Sequence, residues 1–149
     1  MDARSFVAVV LAGVLTGSEL ASRLIVHPVL WRLPHDAQVK AEKLMYKRFG
    51  SIDPFLMTAT IVMCFVAAVV QHGRAATLTF AAAGCFALML AITLALNMPI
   101  NLVVFRWDEE RGDPDRWRTL RRRWDHIHSV RIALDSVGFA LVAAAVVWH

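Results

Sequence analysis

Charge is missing from two long stretches of this chain. Residues 54–71 number 18 and residues 75–105 number 31, all without Asp, Glu, Lys or Arg. A soluble domain of 149 residues does not carry such runs, whereas a membrane-spanning helix needs about 20 apolar residues. Cysteine is scarce as well. Cys64 and Cys85 are the two present, each in mid-stretch. Two cysteines exclude a disulfide framework, and burial as free thiols is the plain reading. P-loop, GxGxxG, CxxC and HExxH segments are absent, which removes the corresponding nucleotide, redox and zinc chemistry. Internal repeats and low-complexity tracts are absent too, beyond alanine-rich helix.

Apolar residues dominate what remains: 58% of the chain, with a mean hydropathy of +0.53. The length allows one domain, 1–149. Four spans are expected, at about 5–26, 54–72, 75–98 and 127–148. The first is interrupted by Glu19 and Arg23, the fourth by Arg131 and Asp135. In lipid each backbone amide must be satisfied within its own segment, so the spans are helices. The expected fold is therefore all-α, a membrane-spanning antiparallel four-helix bundle. The N-terminal run follows Arg4 and lacks an A-x-A-like cleavage site, which points to a retained helix.

The net charge is +4. This balance does not argue for nucleic acid, because the positive residues flank the spans. Five lie between Arg32 and Arg48 and seven between Arg106 and Arg123, against Arg4 and Arg74 on the other side. The positive-inside rule places both long connections in the cytoplasm and both termini outside. Within the first connection, residues 36–49 mix Val39, Leu44, Met45 and Phe49 with Lys40, Lys43, Lys47 and Arg48. That mixture predicts a cytoplasmic amphipathic helix on the inner membrane surface, with a solvated loop helix as the alternative. Trp31, Trp107, Trp117 and Trp124 gather near the inner interface and Trp148 near the outer, as anchoring aromatic belts do.

Polar groups inside a bilayer are costly and mark candidate sites. Glu19 and Arg23 are four apart on one face of the first span, and Gly13, Gly17 and Ala21 form a small-residue stripe on nearly the opposite face. Such a stripe would let a second copy pack closely, making a homo-oligomer. Thr93, Asn97 and Asn101 share a face of the third span, and Pro99 between the asparagines predicts a kink. Trp117, Arg121, Trp124, His128, Arg131, Asp135, Gly138 and Val142 repeat at four–three spacing, the seam of a packed helix. His126 falls on another face. All these polar groups converge on the inner half of the bundle.

The residue types define a candidate catalytic set of His128, Glu19, Arg131 and Asp135. His128 suits a general base or acid near neutral pH. Glu19 in an apolar surround suits proton transfer. Arg131 would hold an anionic intermediate, and Asn97 and Asn101 would donate to a developing oxyanion. Trp124 and His27 complete the substrate-facing set. A metal held by Glu19, His128 and Asp135, or a haem on His27 or His128, is the rival reading. Arg131 counts against a cation there. Glu19 and Asp135 against Arg23 and Arg131 sum to zero charge, so a purely structural cluster stands beside the catalytic one.

His27-Pro28 with Leu30, Asn97-x-Pro99-x-Asn101, and Trp124, His128 and Arg131 in W-x-x-x-H-x-x-R order resemble the four-helix integral membrane family that includes the anthrone oxygenases. The resemblance covers essentially the whole chain, although Glu19 and Asp135 match no family pattern. It implies oxidation of a lipophilic aromatic, anthrone-like substrate by dioxygen, with the cofactor, if any, left open. The alternative is a non-catalytic membrane binding or assembly protein whose buried charges are structural. A small transporter comes third.

Overall fold

The computed structural model describes residues 2–108 and 111–148. Four long helices occupy them: α1 (Ala3–Leu30), α2 (His35–Val70), α3 (Gly73–Phe105) and α4 (Pro114–Val147). Each is long and apolar enough to cross a membrane, the mark of an integral membrane protein, and no strand occurs among the described residues. α1 starts at Asp2, whose carboxylate accepts the Ser5 N–H at 2.8 Å. α4 starts at Asp113, which accepts the Asp115 N–H at 2.9 Å. Pro114 then fills the first helical position, where its missing N–H costs nothing.

Short connections make sequential helices antiparallel neighbours. At one end Gln71, which ends α2, donates to Ser5 of α1 at 3.0 Å and accepts from Thr79 of α3 at 2.7 Å. At the other end Trp31, just after α1, donates to Asp125 of α4 at 3.0 Å, and Lys43 of α2 donates to the Trp107 carbonyl beyond α3 at 2.6 Å. The helices therefore run alternately up and down, each packed against its two neighbours. Gly73 makes the turn from α2 into α3 with φ 59, a left-handed conformation that glycine adopts without steric cost.

The helices extend beyond the expected spans, and α4 begins at Pro114, taking in the whole seam from Trp117. The amphipathic helix expected over 36–49 is not an element of its own. It is the first part of α2, which runs unbroken from His35 through Pro54 to Val70. Of its apolar members, Val39 is buried and Met45 and Phe49 are half-buried. Leu44 is 68% exposed, whereas Gln38, Glu42 and Tyr46 are buried. These three turn inward beside Val39, where Arg121 of α4 lies opposite Glu42, while Lys40, Lys47 and Arg48 stay exposed.

The kink expected at Pro99 takes the form of a widened turn. Residues Thr93–Asn97 form one π-helical turn, with the Met98 N–H donating to the Thr93 carbonyl. A second π turn spans Ser22–Val26, with the His27 N–H donating to Ser22. Each ends two residues before a proline, Pro28 or Pro99. Proline cannot donate to the carbonyl four residues back and clashes with it, and a widened turn absorbs that misfit. The extra residue also resets the helix phase. Ser22 and His27 are five apart, yet both are buried.

Packing divides the bundle in two. Toward the Gln71 end the core is aliphatic and small, with Ala8, Ala12, Leu15, Ala67, Ala82 and Phe86 at its centre. Gly138 lets α4 approach α3 here, since a Cβ at that position would stand 2.9 Å from the Phe86 ring. Toward the Trp31 end the core is aromatic: Tyr46, Trp107, Trp117 and Trp124 with Val39, Ile100 and Val104.

Candidate active site

A cavity opens at the junction of these halves, about 660 Å³ of empty space including its mouth. Its exposed or half-exposed walls, Phe49, Gly50, Asp53 and Pro54 of α2 with Leu94 and Met98 of α3, place the mouth between those helices. Its deep wall holds Glu19, Asn97, His128 and Arg131, all buried.

Glu19 is the hub. Its Oε1 accepts from Arg131 Nη2 at 2.5 Å, and its Oε2 lies 3.3 Å from His128 Nδ1. Neither partner is on α1, so the carboxylate ties α1 to α4. Arg23, on the same helix as Glu19, is only half-buried. The π turn starting at Ser22 resets the phase between that position and the residues that follow. One arginine and one carboxylate leave the inner wall balanced, as a buried pair must be. Neither ring nitrogen of His128 makes a hydrogen bond within the protein; Nδ1 only approaches the Glu19 carboxylate. Asn97 likewise has both side-chain atoms unspent. The wall therefore carries an imidazole beside a carboxylate, and an amide with unspent hydrogen-bonding atoms.

Trp124 forms a second wall. Its indole N–H donates to Asn101 Oδ1 at 2.8 Å, fixing the ring edge. Its face meets His128 at 4.5 Å and His27 at 4.8 Å between ring centroids. His27 is fully buried behind this stack and does not line the cavity. Asp135 is also fully buried on the seam of α4, beyond Arg131, and does not line the cavity. The cavity thus brings together six of the eight candidate residues: Glu19, His128, Arg131, Asn97, Asn101 and Trp124. His126 is exposed, as its spacing requires.

Among the described residues no three His, Cys, Asp or Glu side chains converge as a metal site needs. Glu19, His128 and Asp135 are not brought together as ligands, and Arg131 occupies the position beside Glu19 that a cation would take.

Sequence reasoning gave no site role to four residues, although it set Arg121 on the buried seam of α4. Asp53 and Tyr46 line the cavity. Glu42 and Arg121 form a second buried ion pair behind it, with Arg121 Nε 2.6 Å from Glu42 Oε2. A signal existed: Gln38, Glu42, Tyr46, Asp53 and Met57 repeat at four, four, seven and four along one face of α2. That face was passed over because it is polar.

A family model described as anthrone oxygenase matches residues 43–141. The match takes in α3 and most of α2 and α4, hence Asn97, Asn101, Trp124, His128 and Arg131. Glu19 and His27 lie outside it. No curated protein and no solved structure matches the chain.

Proposed function

This chain belongs to the anthrone oxygenase family, and from that premise we propose that it oxidises a lipophilic aromatic, anthrone-like substrate with dioxygen in the cavity beside Glu19. The observation that carries this reading is the Glu19 carboxylate held between Arg131 and His128 in a cavity wall. His128 serves as general base through Nε2, and the Glu19 carboxylate 3.3 Å from Nδ1 stabilises the imidazolium that forms. The proton comes from the ring methylene of the anthrone, leaving an enolate. Asn97 donates to the enolate oxygen, and the nearby Arg131 guanidinium supports the developing negative charge. Dioxygen takes up the carbanion electrons and, with a returned proton, gives a hydroperoxide at that carbon. Loss of water across the C–H and O–O bonds leaves the second ring carbonyl. One oxygen atom stays in the quinone, the other departs as water, and no outside reductant enters the balance.

The substrate reaches the cavity from the bilayer. Support comes from the mouth between α2 and α3, which exposes Leu94 and Met98 in apolar segments. The Trp31 end faces the cytoplasm and both termini lie outside, a placement supported by twelve basic residues within 32–48 and 106–123 at that end against Arg4 and Arg74 at the other. Reagent accessibility of single cysteines placed at residue 4 and in the 106–113 connection checks that orientation.

Anthrone-dependent oxygen uptake by detergent-purified protein tests the activity, alongside metal analysis and an optical absorption scan. Wild-type uptake that disappears in a folded His128→Asn variant is the expected result. Uptake unchanged in that variant removes His128 from the mechanism. One observation favours the non-catalytic reading: Glu19–Arg131 and Glu42–Arg121 each stitch a different helix to α4. A protein with no uptake, whose Glu19→Leu/Arg131→Met double variant keeps its stability and assembly state, would establish that reading instead.

A further inference from the structure

We propose that Arg121, held by Glu42, is a positioning residue that sets the planes of Trp124 and Tyr46 as the wall against which a flat aromatic ring lies. The proposal rests on the reading that the cavity takes such a ring. Arg121 does not line the cavity, yet both aromatic rings do. Its guanidinium carbon lies 4.6 Å from the Trp124 ring centroid and 5.2 Å from that of Tyr46. Both distances fall within the reach of a cation–π contact. The two rings are themselves 5.4 Å apart at 53°. The indole edge is already fixed by Asn101, and the guanidinium fixes its face. Together the two contacts define a plane.

The guanidinium is held in turn. Nε lies 2.6 Å from Glu42, whose other oxygen accepts from Gln38 at 2.9 Å. Nη2 lies 3.8 Å from Asp125, which Trp31 ties to the end of α1. Arg121 and Glu42 are both fully buried. Joining α2 to α4 does not require this, because apolar residues of similar volume often serve a bundle as well or better than a buried ion pair. A planar, charged group that stacks on two rings is what arginine offers and neither leucine nor lysine does.

The test measures anthraquinone binding, by equilibrium titration of the purified protein in detergent, together with anthrone-dependent oxygen uptake. The variants are Arg121→Lys, Glu42→Gln and the double Glu42→Leu/Arg121→Met. The double variant removes both charges and leaves none unpaired. Folding is followed by circular dichroism. Every folded variant is expected to bind anthraquinone about tenfold more weakly and to show a raised KM, the size of loss a displaced aromatic contact produces. Turnover at saturation should stay within about twofold, since the reacting groups are untouched. A folded variant with wild-type affinity and KM would overturn the proposal while the oxygenase reading stands. A wild-type protein that neither binds anthraquinone nor consumes oxygen overturns both. Should Arg121→Lys fail to fold, the double variant carries the same decision.

Discussion

The two halves of this bundle solve the same packing problem with opposite materials. Toward Gln71 the helices meet through Ala8, Ala12, Ala67, Ala82 and Gly138, and the core is apolar, with Asp135 buried at its edge. Toward Trp31 they meet through tryptophans, a tyrosine and two buried ion pairs. Small residues suffice to bring membrane helices together. Burying Glu19–Arg131 and Glu42–Arg121 costs desolvation that apolar packing would avoid. That cost, in a half where apolar packing would serve, is the reason for proposing a site there. The cavity lies there, with Met57 of the dry core at its boundary.

The comparison breaks first at His128. Its change to Asn should lower anthrone-dependent oxygen uptake by about 10²–10⁴-fold, the usual contribution of a positioned general base, with helix content unchanged by circular dichroism. An equal loss of activity per folded molecule from Phe86→Ala would erase the distinction between halves. Phe86→Ala should instead cost about 3–5 kcal/mol of stability as a core cavity, read from thermal melts in detergent.

Breaking one buried pair comes next. Arg131→Met leaves Glu19 without its cation and should destabilise by about 3–5 kcal/mol, whereas Glu19→Leu/Arg131→Met should recover most of that loss. The double variant should remain inactive. A single variant as stable as wild type would show that the Glu19 carboxylate is not held as a charged group.

Gly138→Ala is the matching test of the dry half. Its methyl would meet the Phe86 ring, so stability should fall by about 1–3 kcal/mol from overpacking, with KM and turnover of the folded fraction unchanged. The smallest effect is expected at Gln71→Leu. It removes one buried polar latch between α1, α2 and α3, worth about 1 kcal/mol. Oxygen uptake should not respond, because the latch sits at the end away from the cavity.

Much of the dry half was legible in advance. Uncharged runs of 18 and 31 residues admit helices and little else in lipid, and the four–three seam from Trp117 to Val142 marked the buried face of α4 correctly. His128, Arg131 and Glu19 were legible for the same reason, since charge within an apolar run stands out. Glu42, Tyr46 and Asp53 did not stand out, because they sit among lysines and arginines where polarity is ordinary. Pro99 announced a distortion, but nothing local distinguished a bend from a π turn. His27 looked substrate-facing from its place after Arg23, and the shifted phase set it behind Trp124 instead.

The amino-acid sequence by itself determined the helices, their number and their alternating direction. Each of those follows from local hydropathy, backbone hydrogen bonding and the lengths of the connections. Only the tertiary structure decided which charge meets which. Glu19 finds Arg131 across 112 residues rather than Arg23 on its own helix, and Glu42 finds Arg121 from within what had looked like a surface helix. Pairing of that kind depends on helix phase and on which neighbour lies opposite, and a single turn widened ahead of a proline is enough to change both.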